Sequence, residues 1–214
     1  MNNIFPWQNE IWKILTKNKS SIGHAILLKG KKGIGKLEFA KSLAKSLLCE
    51  DRLSENQACG SCSGCRWFEQ AGHPDFYLVE PEALSESSGE SKEKPSSAKL
   101  KKKPSKQVSV AQIRALNDVV NMSSHRNGYK IVIINPAEAM NVAAANALLK
   151  NLEEPPPQTL FILVTHRPHH ILPTIHSRCR QIAMPAPDFN LAIDWLEKQD
   201  IEGAEDSLAA VGYA

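Results

Sequence analysis

The sequence predicts an α/β fold built on a five-stranded, mostly parallel sheet. Five short apolar runs have the length and composition of buried strands, and helical patterns lie between most of them. Strands that alternate with helices form parallel sheets that are covered on both faces. The predicted strands are Ala25–Leu28, Phe76–Val79, Lys130–Ile134, Leu160–Thr165 and Gln181–Met184.

Four helices are predicted from start and stop signals. One follows a glycine-rich loop directly, and another follows Ser109, because Ser109 and Gln112 have the spacing of a capping box. A run of three prolines stops the third helix, and the fourth follows two prolines. The predicted helices cover about Lys36–Leu48, residues from Ser109 onward, about Asn141–Glu153 and residues from about Asp188 onward.

Residues 82–107 interrupt this pattern. They are rich in Ser, Lys, Glu and Pro, and their seven lysines against four glutamates account for the whole net charge of +3. Because they cannot bury enough apolar surface to offset the entropy of ordering, we expect a disordered insert. The lysines of 99–103 could contact nucleic-acid phosphates, but such runs usually form a solvated, mobile segment, which we favour.

The sequence predicts two domains. One is an α/β domain over residues 1–185, and the other is the start of a helical domain over 186–214. That last segment is too short for a core of its own, so we expect a truncated domain. The first ten residues lack the basic head and apolar run of a secretory signal, and no apolar stretch could span a membrane. We therefore expect the cytosol, where cysteines stay reduced.

Four of the five cysteines form the strongest metal signal. Cys59, Cys62 and Cys65 are separated by two residues each, and Cys49 lies upstream, in a zinc module of residues 49–65. Four thiolates can close a tetrahedral zinc shell, and this spacing favours structural zinc over disulfides or an iron–sulfur cluster. We expect Cys179 to be a packed thiol.

The glycine-rich loop has most of a nucleotide-binding pattern. Gly30, Gly33, Gly35 and Lys36 follow a strand and open a helix, so the loop amides and the lysine could hold a phosphate. The residue after the lysine should carry a hydroxyl that binds Mg²⁺, and here it is Leu37. A tight turn that binds no phosphate is the alternative.

The strand that should end in magnesium-binding carboxylates ends instead in Asn135 and Pro136. Glu138 comes later, and we expect it to be a solvated residue at a helix start. Two parts of a hydrolytic apparatus are thus replaced. This indicates a chain that does not hydrolyse ATP; a rival interpretation is an ATPase or nucleotide kinase with an atypical magnesium site.

Two further segments resemble signature motifs of bacterial clamp-loader subunits, which are AAA+ proteins. They are the segment 146–156, Asn-Ala-Leu-Leu-Lys-Asn-Leu-Glu-Glu-Pro-Pro, and Ser177-Arg178-Cys179. The inserted four-cysteine module and His73-Pro74-Asp75 are similar to the same family. The resemblance covers roughly residues 6–200 without the insert. It implies an AAA+ P-loop domain followed by a small helical lid.

The resemblance also implies a role and partners. The replaced phosphate-site residues are similar to those of a non-hydrolysing, stator-like member, part of the DNA polymerase III machinery but without activity alone. The implied partners are ATP-hydrolysing gamma or tau subunits, the delta subunit, the sliding clamp and primed DNA. Arg178 would be an arginine finger for the neighbour's ATP; without the resemblance, we would favour a salt bridge for it. A zinc-containing DNA-binding module is a third hypothesis, which the near-neutral charge outside the insert disfavours.

Overall fold

A computed structural model describes residues 4–17, 22–53, 56–85, 103–122, 124, 128–201 and 203–210. Its strands are β1 (Ala25–Lys29), β2 (Phe76–Val79), β3 (Lys130–Ile134), β4 (Thr159–Thr165) and β5 (Arg180–Ala183). All neighbouring pairs are parallel, and the order across the sheet is β2-β3-β4-β1-β5. The predicted α/β class with a five-stranded parallel sheet is therefore confirmed.

The helices include all four that the sequence predicts. The structure gives α1 (Asn9–Thr16), α2 (Lys36–Leu48), α3 (Ser63–Glu69), α4 (Glu82–Ser85), α5 (Val110–Val120), α6 (Val142–Glu153), α7 (Pro173–His176), α8 (Phe189–Glu197) and α9 (Ala204–Ala210). Ser109 and Gln112 form the predicted capping box of α5. Asn141 and Asp188 cap α6 and α8 through their side-chain oxygens. No helix in these described ranges is long and apolar enough to cross a membrane.

Two hydrophobic clusters cover the two faces of the sheet. Alternate strand residues divide between them: Val132 and Ile134 of β3 face the cluster that contains α5 and α6, whereas Ile131 and Ile133 face the cluster that contains α1 and α2. This alternation is the period of two that a strand imposes on its side chains. The central strands β3 and β4 are buried on both faces, which explains their continuous apolar runs.

The ends of the Ser/Lys-rich insert depart from the predicted disordered loop. Glu82–Ser85 forms the short helix α4, and Ala83 donates its backbone N–H to the Ser105 carbonyl. The backbone N–H of Ser105 donates in turn to the Glu82 carboxylate. The two sides of the insert thus meet at its base, and residues 86–102 lie outside the described part of the chain.

A buried lysine closes the end of α5. Lys130 is 3% exposed, and its ammonium donates to the carbonyls of Val119 at 2.8 Å, Val120 at 3.3 Å, and Met122. Helix C-termini leave carbonyls without intrahelical partners and favour a positive charge. Lys130 therefore fastens α5 to the sheet.

Lys130→Met should lower the free energy of unfolding by about 1–3 kcal/mol, because it leaves buried carbonyls without donors. Urea unfolding followed by circular dichroism measures the change. Lys13→Met is the matched control, since Lys13 is exposed and forms a long ion pair with Glu10 at 3.6 Å; exposed changes usually stay within about 0.5 kcal/mol. Equal effects of the two substitutions would contradict the capping role of Lys130.

Candidate functional site

The glycine-rich loop lies between β1 and α2, at the carboxyl ends of the parallel strands. Gly33 and Gly35 have φ angles of +88° and +78°, a region that L side chains rarely adopt. A Cβ on Gly35 would also lie 2.2 Å from the Phe5 ring. The strand–loop–helix context that the sequence predicts is therefore present, and Gly35 is required by both its backbone and its neighbour.

The N-terminal segment holds the loop from outside. Gln8 is fully buried, and its amide donates to the carbonyls of Ile34 at 2.9 Å and Gly35 at 3.0 Å. Trp7 donates its indole N–H to the same Ile34 carbonyl at 3.2 Å. Phe5 stacks on Trp7, and Trp195 of α8 meets both rings edge-on. The loop is thereby linked to the helix that follows the sheet.

The loop lysine is turned inward. Lys36 is 2% exposed, and its ammonium donates to the carbonyls of Gly30 at 2.9 Å and Lys31. Burial lowers the pKa of Lys36 to about 8, although the carboxylates of Glu138 and Glu38 oppose the shift. At neutral pH the ammonium therefore remains mostly charged, and in this structure it is hydrogen-bonded to carbonyls of its own loop.

Leu37 occupies the position of the missing hydroxyl. Its side chain is partly buried and packs against the hydrophobic cluster of α1 and α2. A side chain that contributes to the core and carries no oxygen cannot ligate a hard cation. The sequence-based interpretation of Leu37 as a lost magnesium ligand is consistent with this packing.

Beyond the carboxyl ends of β2, β3 and β4, four polar residues form two hydrogen-bonded pairs that the sequence analysis did not predict. The amide of Asn135 donates to the Glu80 carboxylate at 2.7 Å. The backbone N–H of His166 donates to Glu138 Oε1 at 3.0 Å. The expectation that Glu138 is a solvated residue is therefore wrong, because its carboxylate ties the turn after β3 to the end of β4.

Three atoms at this edge are buried without a hydrogen-bond partner among the described residues: Asn135 Oδ1, Glu138 Oε2 and His166 Nδ1. Burial lowers the pKa of His166, and the positive charges of Lys36 and Lys32 lower it further, so the ring is neutral near pH 7. Asn135 and Glu138 follow β3 and His166 follows β4, and this position after parallel strands is the signal that could have identified them from the sequence.

An open cleft of about 550 Å³ borders the loop on the same edge. Three basic residues and three histidines are among the residues that line it, and positive charge there suits an anion such as a phosphate. They come from the end of β1 and from the residues after β4: Lys29, Lys31, His166, Arg167, His169 and His170.

The four predicted metal ligands converge. The Sγ atoms of Cys49, Cys59, Cys62 and Cys65 all lie within 4.8 Å of one another, so the cluster could bind a metal ion such as zinc. Cys49 follows α2, and Cys62 is the N-cap of α3. The end of α2 and the start of α3 therefore contribute cysteines to one site.

Backbone amides point at the sulfurs. Cys59 donates to the Cys49 sulfur at 3.3 Å, Cys62 to the Cys59 sulfur at 3.3 Å, and Cys65 to the Cys62 sulfur at 3.4 Å. The N–H of Cys62 is the first cause that lowers the pKa of Cys59 to about 6. Burial raises the pKa of Cys65. These amides favour thiolates, the form that a metal requires.

Arg178 and the glycine-rich loop lie at opposite ends of the parallel strands. Arg178 precedes β5, where the parallel strands begin, whereas the loop follows β1, where they end. The guanidinium pairs with Glu153 at 2.7 Å and is 35% exposed. Next to it, Cys179 is 8% exposed in the α5–α6 cluster, and burial raises its pKa to about 11, as expected for a packed thiol.

The chain is similar to proteins of one family over most of its length. The family model described as DNA polymerase III, delta subunit, matches residues 7–188. DNA polymerase III subunit delta' of Pseudomonas aeruginosa is 39% identical and is matched over 99% of this chain and 59% of its own length. The same subunit of Bacillus subtilis is 36% identical, over 94% of this chain and 54% of its own. The chain thus spans a little over half of these curated relatives.

A solved structure shows the same fold. A DNA polymerase III gamma subunit-related protein from Thermotoga maritima aligns with a TM-score of 0.53 and 23% identity, covering 96% of this chain and 57% of that one. The predicted α/β fold on a five-stranded parallel sheet, with a cysteine module inserted between α2 and β2, therefore agrees with the fold of this solved protein.

Proposed function

We propose that this chain, which belongs to the delta-prime family of DNA polymerase III subunits, is a non-hydrolysing part of the replicative clamp loader. In this role it helps to load the sliding clamp onto primed DNA, using ATP bound by neighbouring subunits. The observation that carries the proposal is the site after β1. Its backbone loop and Lys36 remain, but Leu37 packs into the core and Asn135 stands where a carboxylate would hold Mg²⁺.

The proposed contribution to hydrolysis is Arg178, acting as an arginine finger in trans. Arg178 precedes β5 and the chain's own loop follows β1, so the two lie at opposite ends of the parallel strands, and this separation supports a role at a neighbour's nucleotide over one at its own loop. A guanidinium beside phosphoryl oxygens stabilises the charge that spreads over them in the transition state. The neighbours would be gamma or tau subunits, with the delta subunit, clamp and primed DNA completing the assembly in the cytoplasm.

The cysteine cluster is proposed to hold one structural zinc ion. Four sulfur ligands would fill the tetrahedral shell and leave no open position for substrate or water. The ion would join the end of α2 to the start of α3. It would supply rigidity only, so no catalytic role is assigned to it.

A second candidate function is that of an ATPase with an atypical magnesium site. The buried carboxylate of Glu138, whose charge acts on Lys36, is the observation that favours it. A carboxylate there could hold a cation in place of the absent hydroxyl. The non-hydrolysing role remains our choice, because the loop lacks the hydroxyl ligand and the strand lacks its carboxylate.

ATP turnover by the complete purified protein separates these two functions. With Mg²⁺ present we expect no hydrolysis above background, while weak binding through Lys36 and the loop amides is allowed. Trp7 is hydrogen-bonded to the loop and contacts Trp195, so we expect tryptophan fluorescence to report that binding. Turnover that disappears in both Lys36→Ala and Glu138→Gln would establish the second candidate and exclude the first.

A further inference from the structure

The two signature segments of the sequence meet at a single ion pair. Glu153 ends α6, and Arg178 lies in the turn between α7 and β5. Glu153 Oε1 and Arg178 Nη2 are 2.7 Å apart. Arg178 Nη1 donates to the Thr174 carbonyl at 3.0 Å and to Ser177 Oγ at 3.3 Å. Both terminal nitrogens of the guanidinium are thus held by groups of this chain.

We propose that Glu153 is a positioning residue for Arg178: its carboxylate sets the orientation in which the guanidinium is offered to a neighbouring subunit's phosphate. This inference rests on the proposed role of Arg178 as a finger in trans. Glu153 pairs with Arg178 Nη2, whereas the Thr174 carbonyl and Ser177 Oγ both accept from Nη1, so these two acceptors hold the other side of the guanidinium.

The Glu153 carboxylate comes from a rigid support. Leu148 and Leu152 of α6 are buried, and Asn151 donates its amide to Asn117 of α5 at 2.7 Å. The Leu152 carbonyl is hydrogen-bonded to the His24 ring at 3.0 Å, just before β1. The last turn of α6 is therefore attached both to α5 and to the segment that enters the central sheet.

The arginine backbone is anchored on the other side. Cys179 is buried against the α5–α6 cluster, and Ile175 of α7 is buried in it as well. With backbone and carboxylate both fixed, the long Arg178 side chain loses its rotamer freedom when the protein folds. Less entropy is then lost when it meets a phosphate, which is how preorganised groups gain their effect.

The charges of the pair explain why the Glu153 carboxylate can orient Arg178 without preventing it from binding a phosphate. The pair is partly exposed, with 35% of Arg178 and 49% of Glu153 accessible, so solvent screens its attraction. A triphosphate carries more negative charge than one carboxylate, and a guanidinium has five donors, so Arg178 can keep Glu153 and still donate to phosphoryl oxygens.

The test is single-turnover ATP hydrolysis by the assembled clamp loader with clamp and primed DNA. The complete protein carries Glu153→Gln, with Glu154→Gln as the matched control, because Glu154 is the exposed next residue. The variants Arg178→Ala and Glu153→Gln/Arg178→Ala complete a double-mutant cycle. We expect Glu153→Gln to slow the affected site by roughly twofold to fivefold, the range of a partly exposed ion pair.

Three further results are expected: Glu154→Gln behaves as the unmodified protein, all variants assemble, and the double variant is no slower than Arg178→Ala alone. Additive losses in the double variant would show that Glu153 acts elsewhere and overturn the inference. Faster hydrolysis in Glu153→Gln would show that the carboxylate restrains the finger, which also overturns it. No effect of Glu153→Gln beside a loss in Arg178→Ala would remove only this inference, whereas no effect of Arg178→Ala would remove the proposed finger itself.

Discussion

Cys62→Ser should release the metal from the cysteine cluster and cause the largest loss of stability among the changes considered. Four sulfurs converge there, and the segment between α2 and α3 contributes little else to the core. Binding energy at such a site is folding energy. Loss of a metal is among the few mechanisms that cost more than about 3 kcal/mol, which for a chain of this size lowers the melting temperature by about 6–12 °C.

Serine is the informative replacement because Cys62 has a second role. It caps α3 by accepting the backbone N–H of Cys65, and a serine hydroxyl is a good N-cap. The loss therefore reports the metal and not the helix start. Elemental analysis should give about one zinc per chain before the change. Cys179→Ala should keep that zinc; protein without zinc and with an unchanged melting temperature would contradict a structural metal.

Arg178→Ala should affect another subunit's chemistry and leave its own fold nearly intact. The side chain is partly exposed and its ion pair contributes little to stability. At the site it serves, a finger in trans contributes on the order of 10³–10⁵ in rate. The steady-state ATPase of the loader, stimulated by clamp and primed DNA, should fall much less, because the other ATP sites would keep their own arginines.

Arg178→Lys is the control for geometry. It keeps the positive charge but lacks the planar pair of donors, so we expect incomplete rescue of the loader ATPase. Thermal melting of the same variants separates a finger from a structural ion pair. A lower melting temperature with unchanged loader ATPase would assign Arg178 to a structural pair and remove the finger.

The strands and main helices were predictable because their signals are local. Buried runs such as Ile131–Ile134 are continuously apolar, and this one ends at Asn135 and Pro136. The capping box at Ser109 and the prolines after Glu153 placed helix ends within one residue. The four-cysteine cluster was also predictable, since two-residue spacings between Cys59, Cys62 and Cys65 are typical of a metal site that a fourth cysteine can complete.

Helix α1 and the polar contacts behind the loop were missed for different reasons. The α1 helix has a local signal, because its apolar residues Ile11, Trp12 and Leu15 lie on one face. The sequence analysis did not use this signal. The contact of Glu138 with His166 has no local signal, because it joins residues 28 positions apart. It becomes visible only when the order of the parallel strands sets their ends side by side.

The central claim is that this chain supplies an arginine and does not use its own phosphate loop for hydrolysis. The most direct test compares the stimulated ATPase of two reconstituted loaders, one with Lys36→Ala and one with Arg178→Ala in the complete protein. We predict an unchanged rate for Lys36→Ala and a lower rate for Arg178→Ala. A lower rate for Lys36→Ala beside an unchanged rate for Arg178→Ala would contradict the claim and identify the loop after β1 as an active site.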